Sequence, residues 1–371
     1  MNTIAERQAE CAVQLERLQN MMDERGLAGV YIKRQDNFAW LTCGGVNYIG
    51  LGETGNCGLL VLRNGERYAV TNNIEAPRMD DEEHLTELGF PILSSVWHDS
   101  GFEKKTVTEL CPENLGCDHA SALGVNVASA IAPLRYSLTM QEIERYRYAG
   151  HLISRAVEQT AASIRPGDRE KTIAGRLYAL CMQDGLDVTS IMCASDERIY
   201  GYRHPIPTEK VVRERVQLGG NIRYRGITIC LTRFVTFAPL SDALKAQYKA
   251  NREIDCTMMA NTVPGSSYQR PFLAGKAAYE ARGYGEEFNK HHQGGPIGYV
   301  PRDCRVGFEN DVTICENQAF CWNPSITGTK SEDTMIATSK GPQLVTHPVL
   351  FPKVTVEAEG MTFERADVLA L

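Results

Sequence analysis

Arg165-Pro166-Gly167 and Val263-Pro264-Gly265 each break a long helical stretch, and each is followed at the same interval by a further glycine, Gly185 and Gly283. A proline removes a helical donor and a glycine accepts the left-handed conformation that ends a helix, so each segment reads as helix, sharp turn, helix. Strand-rich sequence follows both copies, at about residues 216–237 and 311–338. Two related helix-plus-strand halves are expected to pack about a pseudo-twofold axis. Their strands would then join into one curved sheet under helices, with a central cleft.

Upstream of the repeat the pattern changes. Thr139-Met140-Gln141-Glu142 is a capping box that opens a helix running to about Ile164, and residues 133–137 before it read as a boundary. This predicts two domains, 1–136 and 137–371, in an α/β (α+β) chain. The smaller one starts with a helix ending near Gly26, followed by strand-like runs at 29–32, 58–63, 67–71 and 92–97. Residues 37–55, which hold Trp40, Tyr48 and several glycines, read as loop.

With 371 residues, 43% hydrophobic and 23% charged, the chain is long enough for two cores and has no segment polar enough for extended disorder. A net charge of -7 without long Lys/Arg runs argues against nucleic-acid or anionic-membrane partners and for a small-molecule substrate. No run approaches the about eighteen apolar residues of a membrane span, and the first 27 residues read as an amphipathic helix, so a cytoplasmic protein is expected. The twelve cysteines are scattered, with no C-x-x-C, and are read as buried thiols in a reducing compartment.

Candidate chemistry gathers in the second domain. His204 precedes Pro205-Ile206-Pro207 and follows Tyr202, on a loop too proline-constrained to be helix. Alternation along 227–232 puts Cys230 on the polar face of a strand, beside Thr228 and Thr232. His291-His292-Gln293-Gly294-Gly295 forms a glycine-rich turn, followed by Tyr299 and Arg302. Trp322-Asn323-Pro324 and Glu332-Asp333-Thr334 complete a cluster of imidazoles, carboxamide and carboxylate.

His204-Pro205-x-Pro207, the strand ending Leu231-Thr232-Arg233, the His292-x-Gly-Gly turn and Glu332-Asp333-Thr334 occur in an order that resembles the creatinase, prolidase and methionine aminopeptidase superfamily, the pita-bread fold. The resemblance covers nearly the whole chain. It implies a small creatinase-like N-terminal domain, a pita-bread C-terminal domain and a homodimer. Metallopeptidases of this superfamily bind two divalent ions through two aspartates, one histidine and two glutamates. Those positions fall here on residues 217–219, which hold no acid, and on Cys230, His292, Asn323 and Glu332. One carboxylate cannot offset four positive charges, so no metal pair is expected. A single zinc on Cys230, His292 and Glu332 is chemically allowed but less favoured than no cofactor at all.

The expectation from this resemblance is a metal-independent, creatinase-like hydrolase that cleaves a C–N bond of a small polar substrate bearing a carboxylate. In that reading His204 moves the proton, helped by Glu332 and His292, and Arg302 holds the carboxylate, as matching positions do in creatinase. Asn323, Cys230, His291, Tyr299 and Tyr202 would complete the pocket. Alternatives are a lyase using the same base and a binding protein without catalysis, with a metal-dependent Xaa-Pro peptidase ranked last.

Overall fold

The computed structural model describes residues 3–309 and 311–371. They divide into two compact units, one ending at Glu142 and including Arg225–Ile227, the other made of Ile143–Tyr224 and Thr228–Leu371.

In the first unit the helix Ile4–Arg25 is closed at both ends by its own sequence. Thr3 and Glu6 form a reciprocal capping box, and Gly26 ends the helix at φ 65°. Six strands follow the spatial order Ile92–Ser95, Arg67–Asn72, Thr54–Leu62, Gly29–Arg34, Leu115–Cys117, Val125–Asn126. The stretch read as loop from residue 37 instead begins within a helix, Gln35–Leu41. Full burial of Phe38, Trp40 and Leu41 orders it. Arg135 then ties it down, donating to Asp36 at 2.8 Å and to Asn37 at 2.7 Å.

The second unit shows the repeat in atomic detail. After the helix Met140–Ala162, Gly167 sits at φ 98° and donates its N–H to the Val212 carbonyl at 2.9 Å. After the helix Asp242–Ala260, Gly265 sits at φ 82° and donates to the Ile314 carbonyl, also at 2.9 Å. The second helices, Glu170–Gln183 and Gln269–Ala281, both end at left-handed glycines, Gly185 and Gly283. Equivalent sequence thus produces equivalent turns, because only glycine adopts these φ values without strain.

The strands, expected as one sheet, form two sheets of four strands each and two two-stranded hairpins, Ser325–Ile326 with Thr329–Lys330 and Lys353–Ala358 with Met361–Ala366. One sheet runs in the order Gly294–Pro296, Gln318–Trp322, Asp333–Ala337, Gln343–Leu344, and the other Leu369–Ala370, Ile227–Thr236, Arg215–Tyr224, Asp187–Ser195. Between them a side chain stands in for the backbone ladder. The Thr334 hydroxyl accepts from the Cys230 N–H at 3.0 Å and donates to the Cys230 carbonyl at 2.9 Å. One direct bond, from Thr232 N–H to the Glu332 carbonyl at 3.1 Å, continues the seam. Glu332 therefore lies where the two halves meet.

Candidate active site

His204 leaves the short helix Arg198–Gly201 on an irregular loop that is held at both flanks. The Pro205 carbonyl accepts from Cys193 N–H at 3.0 Å, which fastens the loop to the strand Asp187–Ser195. On the other side Arg203 donates to Glu287 at 2.6 Å and to Thr327 at 3.0 Å, reaching the second half of the repeat. Burial opposes the charge on Glu287, but hydrogen bonds from Lys290, Thr327 and Arg203 outweigh it and hold its pKa at about 2. It is a fixed anion at any working pH. The loop carrying His204 is thus moored by an ion pair and not by chance packing.

The turn bearing His291 and His292 follows a 3-10 segment, Gly285–Lys290. Gln293 buries its amide beneath the turn, donating to the carbonyls of Phe288 at 2.9 Å and His291 at 2.7 Å. Gly294 is required by close approach: a Cβ there would lie 2.3 Å from the Cys321 carbonyl oxygen. The turn can therefore press against the neighbouring strand and aim its imidazoles outward. His291 Nε2 lies 3.0 Å from His204 Nε2, and its Nδ1 lies 3.2 Å from the Ser325 hydroxyl.

Glu332 is set by its neighbours on either side. Ser331 and Asp333 point away from it into a buried network in which Arg365 donates to Asp255 at 2.6 Å and to Asp333 at 3.0 Å. Arg233 bridges Asp333 at 3.0 Å and Glu158 at 2.8 Å, and Glu158 in turn accepts the N–H groups of Val349, Leu350 and Phe351. With its neighbours fixed, Glu332 accepts from Lys330 Nζ at 2.6 Å and from the Thr232 hydroxyl at 2.6 Å. Burial disfavours its charge, but Lys330 and Thr232 overcome this and leave its pKa below the ordinary carboxylate value.

These elements line a cleft of about 340 Å³ that includes His204, His292, Asn323, Glu332 and Arg302. Lys330 and Arg305 line it as well, so three cationic side chains face one carboxylate. Burial and these cations depress all three imidazoles: His204 lies below its usual pKa, His292 falls to about 4 and His291 to about 2. Each is a neutral nitrogen base near pH 7. Two polar atoms at the cleft, His292 Nδ1 and Asn323 Oδ1, are buried without a hydrogen-bond partner among the described residues.

Three residues expected in the pocket lie elsewhere. Cys230 is fully buried, and its thiol interacts with that of Cys321, because every residue of the strand Ile227–Thr236 is covered on both faces. Tyr299 is buried and accepts from Arg145 at 3.2 Å. Tyr202 is exposed, with Arg198 stacked 5.2 Å from its ring. His291 joins the cluster through His204. Lys330 and Arg305 were not singled out from the sequence. For Lys330 a signal exists, since Lys330 and Glu332 are two apart in an extended segment and so share a side.

Paired helix-and-strand halves around a polar cleft define the class: a pita-bread domain of the hydrolase type, preceded by a smaller α/β unit. Residues 144–341, more than half of the chain, match the model of Metallopeptidase family M24, and the chain belongs to that family. It is 22% identical over 355 residues to the uncharacterized peptidase YqhT of Bacillus subtilis (strain 168), covering 90% of this chain and 98% of that one. It is 26% identical over 232 residues to an Xaa-Pro dipeptidase of Lactobacillus helveticus, covering 60% and 63% of the two chains. The Xaa-Pro dipeptidase of Bacillus anthracis has the same fold, with TM-score 0.76 at 20% identity over 97% of this chain and 100% of that one.

These similarities correct the functional expectation. The relatives and structural neighbours carry peptidase names, which overturns the creatinase-like, metal-independent reading and favours the peptidase reading that was ranked last. The ligand positions of a metal pair are nonetheless unsuited to one. Gly219 offers no side chain and has no room for one, since a Cβ would lie 2.3 Å from the Leu231 carbonyl oxygen. The Cys230 thiol is turned to Cys321, and the sole carboxylate, Glu332, is already neutralised by Lys330. The dinuclear centre does not fit these residues.

Proposed function

We propose that the chain is a peptidase that hydrolyses the amide bond of short peptides ending in a free carboxylate, Xaa-Pro dipeptides being the first candidates. The charge of the cleft carries this reading: Arg302, Arg305 and Lys330 face Glu332 alone, beside the imidazole cluster. Membership of the M24 family and the dipeptidase names of similar proteins support amide hydrolysis as the reaction. At about 340 Å³ the cleft is near the small end of ligand sites and suits a ligand of dipeptide size.

The side chains divide the work by chemistry. Arg302 is steadied by donating to the Gly295 and Cys321 carbonyls at 3.2 and 2.8 Å. Arg305 has no ion pair among the described residues. Together they offer planar donors to a carboxylate. His204, the least depressed of the three imidazoles, is the group suited to take a proton from water, whereas His291 and His292 are too weakly basic for it. Lys330 is paired with Glu332 and keeps that carboxylate charged within the cleft.

A mass-spectrometric screen of dipeptides, as free acids and as C-terminal amides, tests the reading. Free acids should be cleaved about 10- to 100-fold faster than amides, and His204→Ala should lose about 100-fold or more. Failure to cleave any free acid, or equal cleavage of the amides, refutes it.

A further inference from the structure

His204, His291 and His292 each offer a ring nitrogen, and these atoms all lie within 4.8 Å of one another. We propose that this imidazole cluster is a mononuclear site for a borderline transition-metal ion, Zn²⁺ foremost, held by three nitrogens and not by the carboxylate positions of the family's metal pair.

The spacing of one pair already matches the assignment. Zinc binds imidazole nitrogen at about 2.0–2.1 Å, so two ligands of a tetrahedral site stand about 3.3 Å apart. The two Nε2 atoms of His204 and His291 stand 3.0 Å apart, close to that edge. The contact poses a question of protons. If the Ser325 hydroxyl accepts from His291 Nδ1, both facing nitrogens can present lone pairs, an arrangement that a shared cation resolves. The same hydroxyl then fixes the ring orientation, as outer partners of metal-bound histidines do.

Two orphaned atoms point the same way. His292 Nδ1 and Asn323 Oδ1 are buried without partners among the described residues, although both side chains line the cleft. The scaffold is firm on both sides: Arg203 and Glu287 moor the His204 loop, and Gln293 pins the turn. A set of neutral nitrogens selects zinc, cobalt or nickel over magnesium, calcium or manganese, which prefer oxygen. The neighbouring Lys330, Arg302 and Arg305 oppose a cation and lower its affinity. They equally favour an anionic ligand, hydroxide or carboxylate, in the open coordination position. The inference rests on the reacting end of the cleft named above; an ion held there would occupy the lone pair of His204, so that in the loaded protein His204 would be a ligand and not the proton acceptor, and the inference stands or falls on metal binding alone.

The test uses the full chain, stripped by chelator and titrated with Zn²⁺ by calorimetry and with Co²⁺ by visible absorption. One equivalent should bind, and Co²⁺ should give the intense visible bands of a four-coordinate site. His204→Ala, His291→Ala and His292→Ala should each weaken binding at least about 100-fold. Cys230→Ala and Glu332→Gln should leave the stoichiometry unchanged. Circular dichroism and the thermal transition of each variant show whether it is folded, and His291→Gln provides a milder replacement. No binding, two equivalents, or binding that survives His291→Ala but is lost in Glu332→Gln overturns the proposal. One equivalent bound with no peptide cleaved would leave this site standing and reject the proposed substrate class.

Discussion

Replacing Lys330 by methionine isolates the one carboxylate of the cleft. Lys330 Nζ lies 2.6 Å from Glu332, and both side chains are about 3% exposed or less. Removing the ammonium leaves a buried carboxylate with the Thr232 hydroxyl at 2.6 Å as its remaining close partner. Breaking such a pair typically costs about 3–5 kcal/mol, because the surviving charge is uncompensated. The pH dependence carries the sharper information. In the native protein the pKa of Glu332 is depressed, so its stabilisation is complete above the unfolded value of about 4.3 and is lost as pH falls below it. In Lys330→Met, burial dominates and raises that pKa, so protonation relieves the penalty as pH falls through the raised value. The variant's deficit should therefore be greatest at neutral pH and shrink on acidification. Hydrogen exchange of the strands Gln318–Trp322 and Asp333–Ala337 at pH 7.5 and 5.5, with thermal unfolding alongside, measures it. A deficit below about 1 kcal/mol, or one that does not shrink at the lower pH, would show that the pair is not the closed unit described.

Thr334→Val removes both side-chain bonds across the seam, leaving the Cys230 N–H unpaired and its carbonyl with only the weak Cys321 thiol donor, which should cost about 1–3 kcal/mol in urea unfolding. Loss of less than a few tenths would mean that the seam relies on packing and on the Thr232–Glu332 backbone bond. Arg365→Met leaves Asp255 in the core with only the Ser331 hydroxyl, while Asp333 keeps Arg233, and should cost about 3 kcal/mol, with partial recovery in Arg365→Met/Asp255→Leu. Equal losses in the single and double variants would contradict that pairing. Arg203→Ala should lower kcat more than it raises KM, because it loosens the loop of His204 without touching the carboxylate anchor. A change confined to KM would place Arg203 at the substrate instead.

The fold was legible where one residue type has one physical use. Pro166-Gly167 and Pro264-Gly265 could only be turns, and the structure gives them matching φ angles and matching bonds to Val212 and Ile314. The capping box at Thr139 and Glu142 likewise forms, with bonds of 2.7 and 3.1 Å. Local signals failed where burial decides. Glycines after Leu41 suggested a loop, yet Phe38 and Trp40 are worth more in the core than the turn residues are in solvent. Cys230 was misplaced for a related reason: alternation marks a polar face only when one side of a strand meets water, and the strand Ile227–Thr236 meets it on neither. At the site, His204, His292, Arg302, Asn323 and Glu332 meet in one cleft. The counter-charge of Glu332 is Lys330, two residues earlier, which the motif itself does not mark.

The most direct test of the proposed peptidase compares kcat/KM for one Xaa-Pro dipeptide as free acid and as amide, in the native protein and in Arg305→Ala. A charge-assisted carboxylate contact is worth about 1.5–3 kcal/mol, so the native protein should prefer the free acid by about 10- to 100-fold. Arg305→Ala should lose most of that preference while still turning over the amide as the native protein does. An unchanged preference in the variant, or none in the native protein, would contradict the account.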